Sequence, residues 1–178
     1  MISNTQLITF ILGTIMIILF SWFVSIRERR YHGIPRFFAF EGLLVLGLLN
    51  SSVWFKDPLS IPQIVAWLLF IFSIYYAFTA FSLFLRHGKP GRNFENTTQL
   101  VTTGLYHYVR HPMYGSLLFL GWGMFLKSMT WQTIVLIVII AGALYITCKV
   151  EEKEMLKKFG DEYETYLTKT KMFIPYIY

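Results

Sequence analysis

Residues Met113–Cys148 read M-Y-G-S-L-L-F-L-G-W-G-M-F-L-K-S-M-T-W-Q-T-I-V-L-I-V-I-I-A-G-A-L-Y-I-T-C, and the only charged residue in the stretch is Lys127. Two apolar runs, Met113 to Leu126 and Ser128 to Cys148, flank that lysine with room between them for no more than a tight turn. Unbroken apolar runs satisfy their backbone polar groups in hydrocarbon by forming helices. The pair is therefore an antiparallel helical hairpin in a membrane. Working outward, residues 1 to 26 carry no Asp, Glu, Lys, Arg or His, and further apolar stretches run from Phe37 to Phe55 and from Ile61 to Leu85. About 20 residues cross a bilayer. Met113 to Leu126 is the short run, and borrows flanking residues or crosses as half of the hairpin.

Composition agrees. With 55% hydrophobic, 19% aromatic and 15% charged residues among 178, the chain has too little polar surface to close a water-soluble globule. The expected fold is all-α and polytopic, with about five transmembrane helices. A cleaved signal peptide normally begins with positive charge and has a shorter apolar core, so residues 1 to 26 are expected to remain as the first span.

Basic residues set the orientation, because cytoplasmic loops near span ends carry the excess of Lys and Arg. Arg27, Arg29, Arg30 and Arg36 follow span one; Arg86, Lys89, Arg92 and Arg110 follow span three; Lys149, Lys153, Lys157, Lys158, Lys169 and Lys171 end or follow span five. Only Lys56 and Lys127 fall on the other side. This alternation puts the amino terminus outside and the carboxyl terminus in the cytoplasm. The +6 net charge then reflects topology and contact with anionic lipid headgroups, with no need of nucleic acid.

Residues 1–85 read as a three-span scaffold and 86–178 as the region that carries chemistry. Glu41, about one turn inside span two, is expected to reach the headgroups, although an ionisable residue within a span is often functional. The lone Cys148 has no disulfide or metal partner by spacing and reads as a helix-packing residue. From Arg86 to His111 the chain is polar and rich in turn residues (Gly88, Pro90, Gly91, Asn93, Asn96, Thr97, Thr98, Gln99), longer than a plain connector needs, and so a candidate lid or binding wall. After Cys148, Met155, Leu156, Phe159, Tyr163, Tyr166 and Leu167 draw one stripe at a period of 3.6. Span five thus continues into a cytoplasmic amphipathic helix, which either lies on the membrane or folds back over the loop, and Gly160 marks a bend or a close backbone approach.

No nucleophile, base and orienter set, no metal-ligand spacing and no glycine-rich phosphate loop can be read from the sequence. What remains is the run Gly104–Tyr114, G-L-Y-H-Y-V-R-H-P-M-Y, and the acidic pair Glu151–Glu152. The hairpin brings Pro112 and Lys149 together, and with them Tyr106, Tyr108, Arg110, His111 and Tyr114 near the two glutamates. A helix starting at Pro112 offers free N–H groups and a positive dipole end to a carboxylate or phosphate. Carboxylates can accept from hydroxyls or an ammonium, and aromatic faces can hold a base or attract a sulfonium. Singly, each residue also fits an interfacial belt, a topology charge or a helix start.

Together they resemble a family. Gln99-Leu100-Val101-Thr102-Thr103-Gly104-Leu105-Tyr106-His107-Tyr108-Val109-Arg110-His111-Pro112-Met113-Tyr114 is similar to a signature of the isoprenylcysteine carboxyl methyltransferases, related to the phospholipid methyltransferases. Glu151-Glu152, Phe159-Gly160-Asp161-Glu162-Tyr163, Tyr166 and Phe173-Ile174-Pro175 resemble its second signature. The resemblance implies S-adenosylmethionine at the cytoplasmic face, held by Thr98, Gln99, Leu100, Val101, Tyr106, His111, Pro112, Met113, Tyr114 and Glu151, without a metal. It implies methyl transfer to a lipidic substrate arriving from the bilayer, with His111, Arg110 and Glu152 as catalytic candidates and His107 as a further base for an amine or hydroxyl acceptor. A carboxylate acceptor needs little acid-base help, so O-methylation is favoured over N-methylation. One departure is Thr147, where relatives acting on prenylated proteins have an arginine near the substrate carboxylate; another is Lys171-Met172, where an arginine is common. Both leave the acceptor unread. A sterol-type membrane reductase and a non-enzymatic membrane subunit stay open as alternatives, and Gly115, Gly121 and Gly123 permit close helix approach within one chain or between two.

Overall fold

The computed structural model describes residues 3–89 and 97–177. Pro90, Gly91, Arg92, Asn93 and Asn96 of the expected loop lie outside them. The described residues form six α-helices: α1 (Asn4–Val24), α2 (Gly33–Leu49), α3 (Ile61–His87), α4 (Pro112–Lys127), α5 (Trp131–Phe159) and α6 (Asp161–Lys169). Short 3-10 helices follow α1 at Ile26–Glu28 and precede α4 at Gly104–His107. Three segments are long and apolar enough to cross a membrane, Asn4–Glu28, Ile61–His87 and Trp131–Phe159, so this is a membrane protein.

The local causes are visible in the sequence. Ser3 caps α1 in a reciprocal box with Gln6, and Thr130 does the same for α5 with Thr133. Span two was expected to run to Phe55, but α2 stops at Leu49. Asn50 ends it: its N–H donates to Leu46 O and its side chain donates to Met124 O at 2.8 Å, tying the turn to α4. Apolarity continues through Trp54 and Phe55, which fold over the start of α3 instead, Trp54 stacked on Phe70 and Phe55 on Trp67.

Neighbouring helices run in the order α1, α2, α5, α4, α3. α3 can lie against α4 because Gly123 has no side chain; a Cβ there would meet the Phe70 ring at 2.5 Å and Ala66 O at 3.1 Å. The main core joins α2 and α5 through Leu43, Leu46, Ile140 and Leu144, and Met172 and Phe173 of the carboxyl-terminal segment plug into it. Lys127, expected as an outer topology charge, is buried. Its ammonium donates to Gln63 Oε1 at 2.7 Å and to Trp54 O at 3.2 Å, over the Trp67 ring at 3.9 Å. Glu41 likewise does not reach outward. It accepts a hydrogen bond from Thr14 of α1, and its Oε2 is buried.

Candidate active site

Gly104 opens the site. Its φ of +60° suits glycine, and a Cβ would sit 2.7 Å from Leu83 Cδ1 of α3. The 3-10 helix it starts buries Tyr106 beside Ala80 and Val101. The chain then runs extended, and the carboxyl-terminal segment pairs with it: Lys171 N donates to Tyr108 O (3.0 Å), Arg110 N to Lys171 O (2.9 Å) and His111 N to Met172 O (3.1 Å). His111 is the residue before a proline, which disfavours helical geometry there; it has φ −124° and ψ 56° and caps α4. Pro112, with no N–H to leave unsatisfied, begins the helix.

The hairpin then brings the acidic pair to the same place. Arg110 Nε donates to Glu152 Oε1 at 2.5 Å and Nη1 to Thr170 O at 2.8 Å, while Lys149 Nζ donates to Glu152 Oε2 at 2.9 Å. His111 lies between the two carboxylates, Nδ1 at 3.7 Å from Glu151 Oε2 and Nε2 at 3.5 Å from Glu152 Oε1. These distances are longer than those of the ion pair beside them. Adjacent glutamates thus have different surroundings: Glu152 is locked by two cations, and Glu151 is not.

Beside them is a cavity of about 360 Å³, within the range of small-molecule sites. Gln99, Leu100, Val101, Tyr106, Arg110, His111, Pro112, Met113, Tyr114 and Glu151, all read from the sequence as site residues, line it. Thr98 does not; its hydroxyl donates to Lys89 O at 2.9 Å, and the neighbouring Thr97 is in the wall instead. Glu152 stands behind the wall, His107 is exposed, and Thr147 is buried, with its hydroxyl turned back to Ala143 O at 2.7 Å.

The carboxyl-terminal helix completes the enclosure, with Tyr163 and Tyr166 in the wall. Tyr166 OH donates to Tyr106 O at 2.6 Å, and Lys158 donates to Thr97 O. The amphipathic stripe therefore faces protein. Burial raises the phenol pKa of Tyr106, Tyr163 and Tyr166, with the Glu151 carboxylate adding to the shift at the first two. All three stay neutral and offer O–H groups.

Tyr106 OH, His111 Nε2 and Glu151 Oε2 are buried and have no hydrogen-bond partner among the described residues. Leaving such groups unmade is costly. Three in one wall mark a place shaped for a polar ligand.

Sequence reasoning missed the parts of the cavity wall supplied by Phe20 of α1, Arg36 and Phe40 of α2, and Phe81 of α3. Arg36 reads in sequence as one more topology charge. The signal available was its spacing of four from Phe40, which pairs the two on one helix face.

No individual curated protein matches the chain. The profile of the family described as phospholipid methyltransferase matches residues 61–162, more than half of the 178-residue chain, spanning α3, the Gly104–Tyr114 knot, the hairpin and the acidic pair. The chain therefore belongs to the phospholipid methyltransferase family.

Proposed function

We propose that this protein is an S-adenosylmethionine-dependent methyltransferase that modifies a lipidic acceptor at the cytoplasmic membrane face. The observation that carries the reading is the trio of buried, unsatisfied polar atoms on Tyr106, His111 and Glu151 in one wall of a cavity that is otherwise mostly apolar. The trio fits the cofactor. Glu151 can accept from an ammonium or from ribose hydroxyls, Tyr106 and His111 can donate to a carboxylate, and the rings of Tyr106, Tyr114 and Tyr163 offer faces to a sulfonium. When bound, the cofactor supplies an electrophilic methyl group on a positively charged sulfur.

The chain's own part is placement and exclusion of water. Tyr163 and Tyr166 cover the polar end, and Phe20 and Phe81, 37% and 46% exposed on the outer face, wall the apolar end where a lipid tail arrives. Arg110 and Glu152, bonded to each other and to Thr170 O and Lys149, hold His111 and the carboxyl-terminal segment in register. An acceptor carboxylate requires no base, which favours O-methylation. An acceptor amine would give up its proton to His111 or Glu151.

The topology proposed with this function has five crossings, the amino terminus outside and the site in the cytoplasm, in keeping with the distribution of basic residues. α2 and α4, with 17 and 16 residues, measure roughly 25 Å each at 1.5 Å per residue. They complete the crossing between longer neighbours. The test is label transfer: purified protein, methyl-labelled S-adenosylmethionine and extracted membrane lipids should yield label in the organic phase, and no label above a heat-treated control would refute the activity.

A further inference from the structure

A second cavity, of about 230 Å³, lies between α1 and α2 and shares no lining residue with the first. Ile18 and Trp22 of α1 and Phe37 and Phe38 of α2 make its walls apolar. Ser21 is the exception: it lines the cavity, is 2% exposed, and its hydroxyl has no hydrogen-bond partner. One turn further on, Ser25 is buried too, but its Oγ accepts from Arg36 Nη2 at 2.7 Å. A buried hydroxyl left unpaired between apolar helices is costly in hydrocarbon, where no water can serve it. Ser21 calls for an acceptor that arrives with a ligand.

The position of the cavity narrows the chemistry of that ligand. Ile26 and Ile34 also line it, so it lies beside the turn that joins the two helices. Trp22 and Tyr31, 53% and 63% exposed, mark this level as the boundary between hydrocarbon and headgroups, where such rings collect. Between Ile26 and Ile34 the turn carries Arg27 and Arg29, both exposed, against the single carboxylate of Glu28. Arg30, on the same turn, is engaged with Glu154 Oε2 at 3.6 Å. A glycerophospholipid repeats this order along its own length, with a phosphate at the headgroup, ester carbonyls just below it and acyl chains deeper. An ester carbonyl only accepts, which is what an unpaired hydroxyl needs. The surplus of guanidinium groups favours a headgroup with net negative charge over a zwitterionic one, whose ammonium they repel.

We propose that this cleft is a binding site for an anionic glycerophospholipid, separate from the catalytic cavity. One acyl chain lies against Trp22, Phe37 and Phe38, an ester carbonyl accepts from Ser21 Oγ, and the phosphate meets Arg27 and Arg29. Ser21 is the one buried residue of α1, and the preceding Phe20 lines the catalytic cavity, so the bound lipid steadies a helix that walls that cavity. The site does not rest on the methyltransferase reading.

The test uses the full chain, delipidated in a neutral maltoside, with dioleoylphosphatidylglycerol and dioleoylphosphatidylcholine as probes. The two share acyl chains and ester carbonyls and differ in net charge. Native mass spectrometry gives the dissociation constant of the tightest-bound lipid, and thermal melts follow the lipid-free protein. Phosphatidylglycerol should bind about fivefold or more tightly than phosphatidylcholine. Arg27→Gln combined with Arg29→Gln should erase that preference, while Lys56→Gln, an exposed charge on the turn between α2 and α3, should keep it. Ser21→Ala should weaken both lipids about threefold or more. It should leave the preference and the lipid-free melting point unchanged, because the hydroxyl gives up no bond in the empty protein. Equal affinity for the two lipids, a preference that survives the double substitution or is lost equally in Lys56→Gln, or unchanged affinities in Ser21→Ala overturns the site. Should the double variant fail to fold, each single arginine variant must lower the preference, and an undiminished preference in both overturns the site as well. This outcome is independent of whether S-adenosylmethionine binds, so failure of either reading leaves the other standing.

Discussion

Glu151 and Glu152 are adjacent, chemically identical and differently employed. Glu152 accepts from Arg110 and Lys149, whereas Glu151 lines the cavity with one oxygen unsatisfied. The two should therefore fail differently. Glu151→Ala and His111→Ala are expected to weaken S-adenosylmethionine binding tenfold or more while the thermal midpoint stays within a few degrees, as measured by calorimetric titration and thermal melts in detergent. Arg110→Met should instead lower stability by about 2 kcal/mol, because it removes the charged hydrogen bond to Glu152 Oε1 and leaves that buried carboxylate with Lys149 alone of its two cations. A melt within a degree of the unaltered protein would contradict that. At this scale the knot and the acidic pair were legible in sequence, since charged and aromatic residues at the mouth of apolar spans demand an explanation. Which glutamate does what was not, because the answer depends on how Arg110 and Lys149 turn.

The elements that frame the site were legible by period and punctuation. A stripe of apolar residues at 3.6 spacing, interrupted at Gly160, gives the end of α5 and all of α6; the observed break has Gly160 at φ 55°. Period alone does not say whether the stripe meets lipid or protein. That was decided by Tyr166 reaching Tyr106 O, a contact across 60 positions. Tyr166→Phe should cost about 1 kcal/mol through the lost hydrogen bond and loosen the cover, so that cofactor affinity falls several-fold. The raised pKa values of Tyr106, Tyr163 and Tyr166 carry a pH dependence of defined sign. Unfolded tyrosines release protons near pH 10 while the native ones hold theirs, so their stabilisation is complete below about pH 10 and is lost as pH rises beyond it. Thermal melts from pH 8 to 11 should show the midpoint falling above pH 10, less steeply in Tyr163→Phe. At the other border of the site, Gly104→Ala should lose about 1–2 kcal/mol from its positive φ and the Leu83 contact. Adding Leu83→Ala should restore the steric part only.

Across the whole molecule, three long apolar helices and two shorter ones form a row in which chain order and spatial order differ: α2 packs on α5, and α3 on α4. Hydropathy foretold a helical membrane protein, and the close hairpin foretold that the two signatures would meet. It did not foretell that α1 and α2 would supply part of the wall, because Phe20, Arg36 and Phe40 are far from the knot in the chain and meet it only through the fold. The pairing of Thr14 with Glu41 escaped notice for the same reason: polar residues in separate spans can only be matched once the spans are side by side. The combined result is one cavity lined by Tyr106, His111 and Glu151 together with Phe20, Phe40 and Phe81, which the proposed function fills with a charged methyl donor and a lipid acceptor. Calorimetric titration of S-adenosylmethionine into the purified protein measures that claim most directly. One-to-one binding that weakens at least tenfold in Glu151→Ala is the predicted result; no binding, or the same affinity in both proteins, would contradict it.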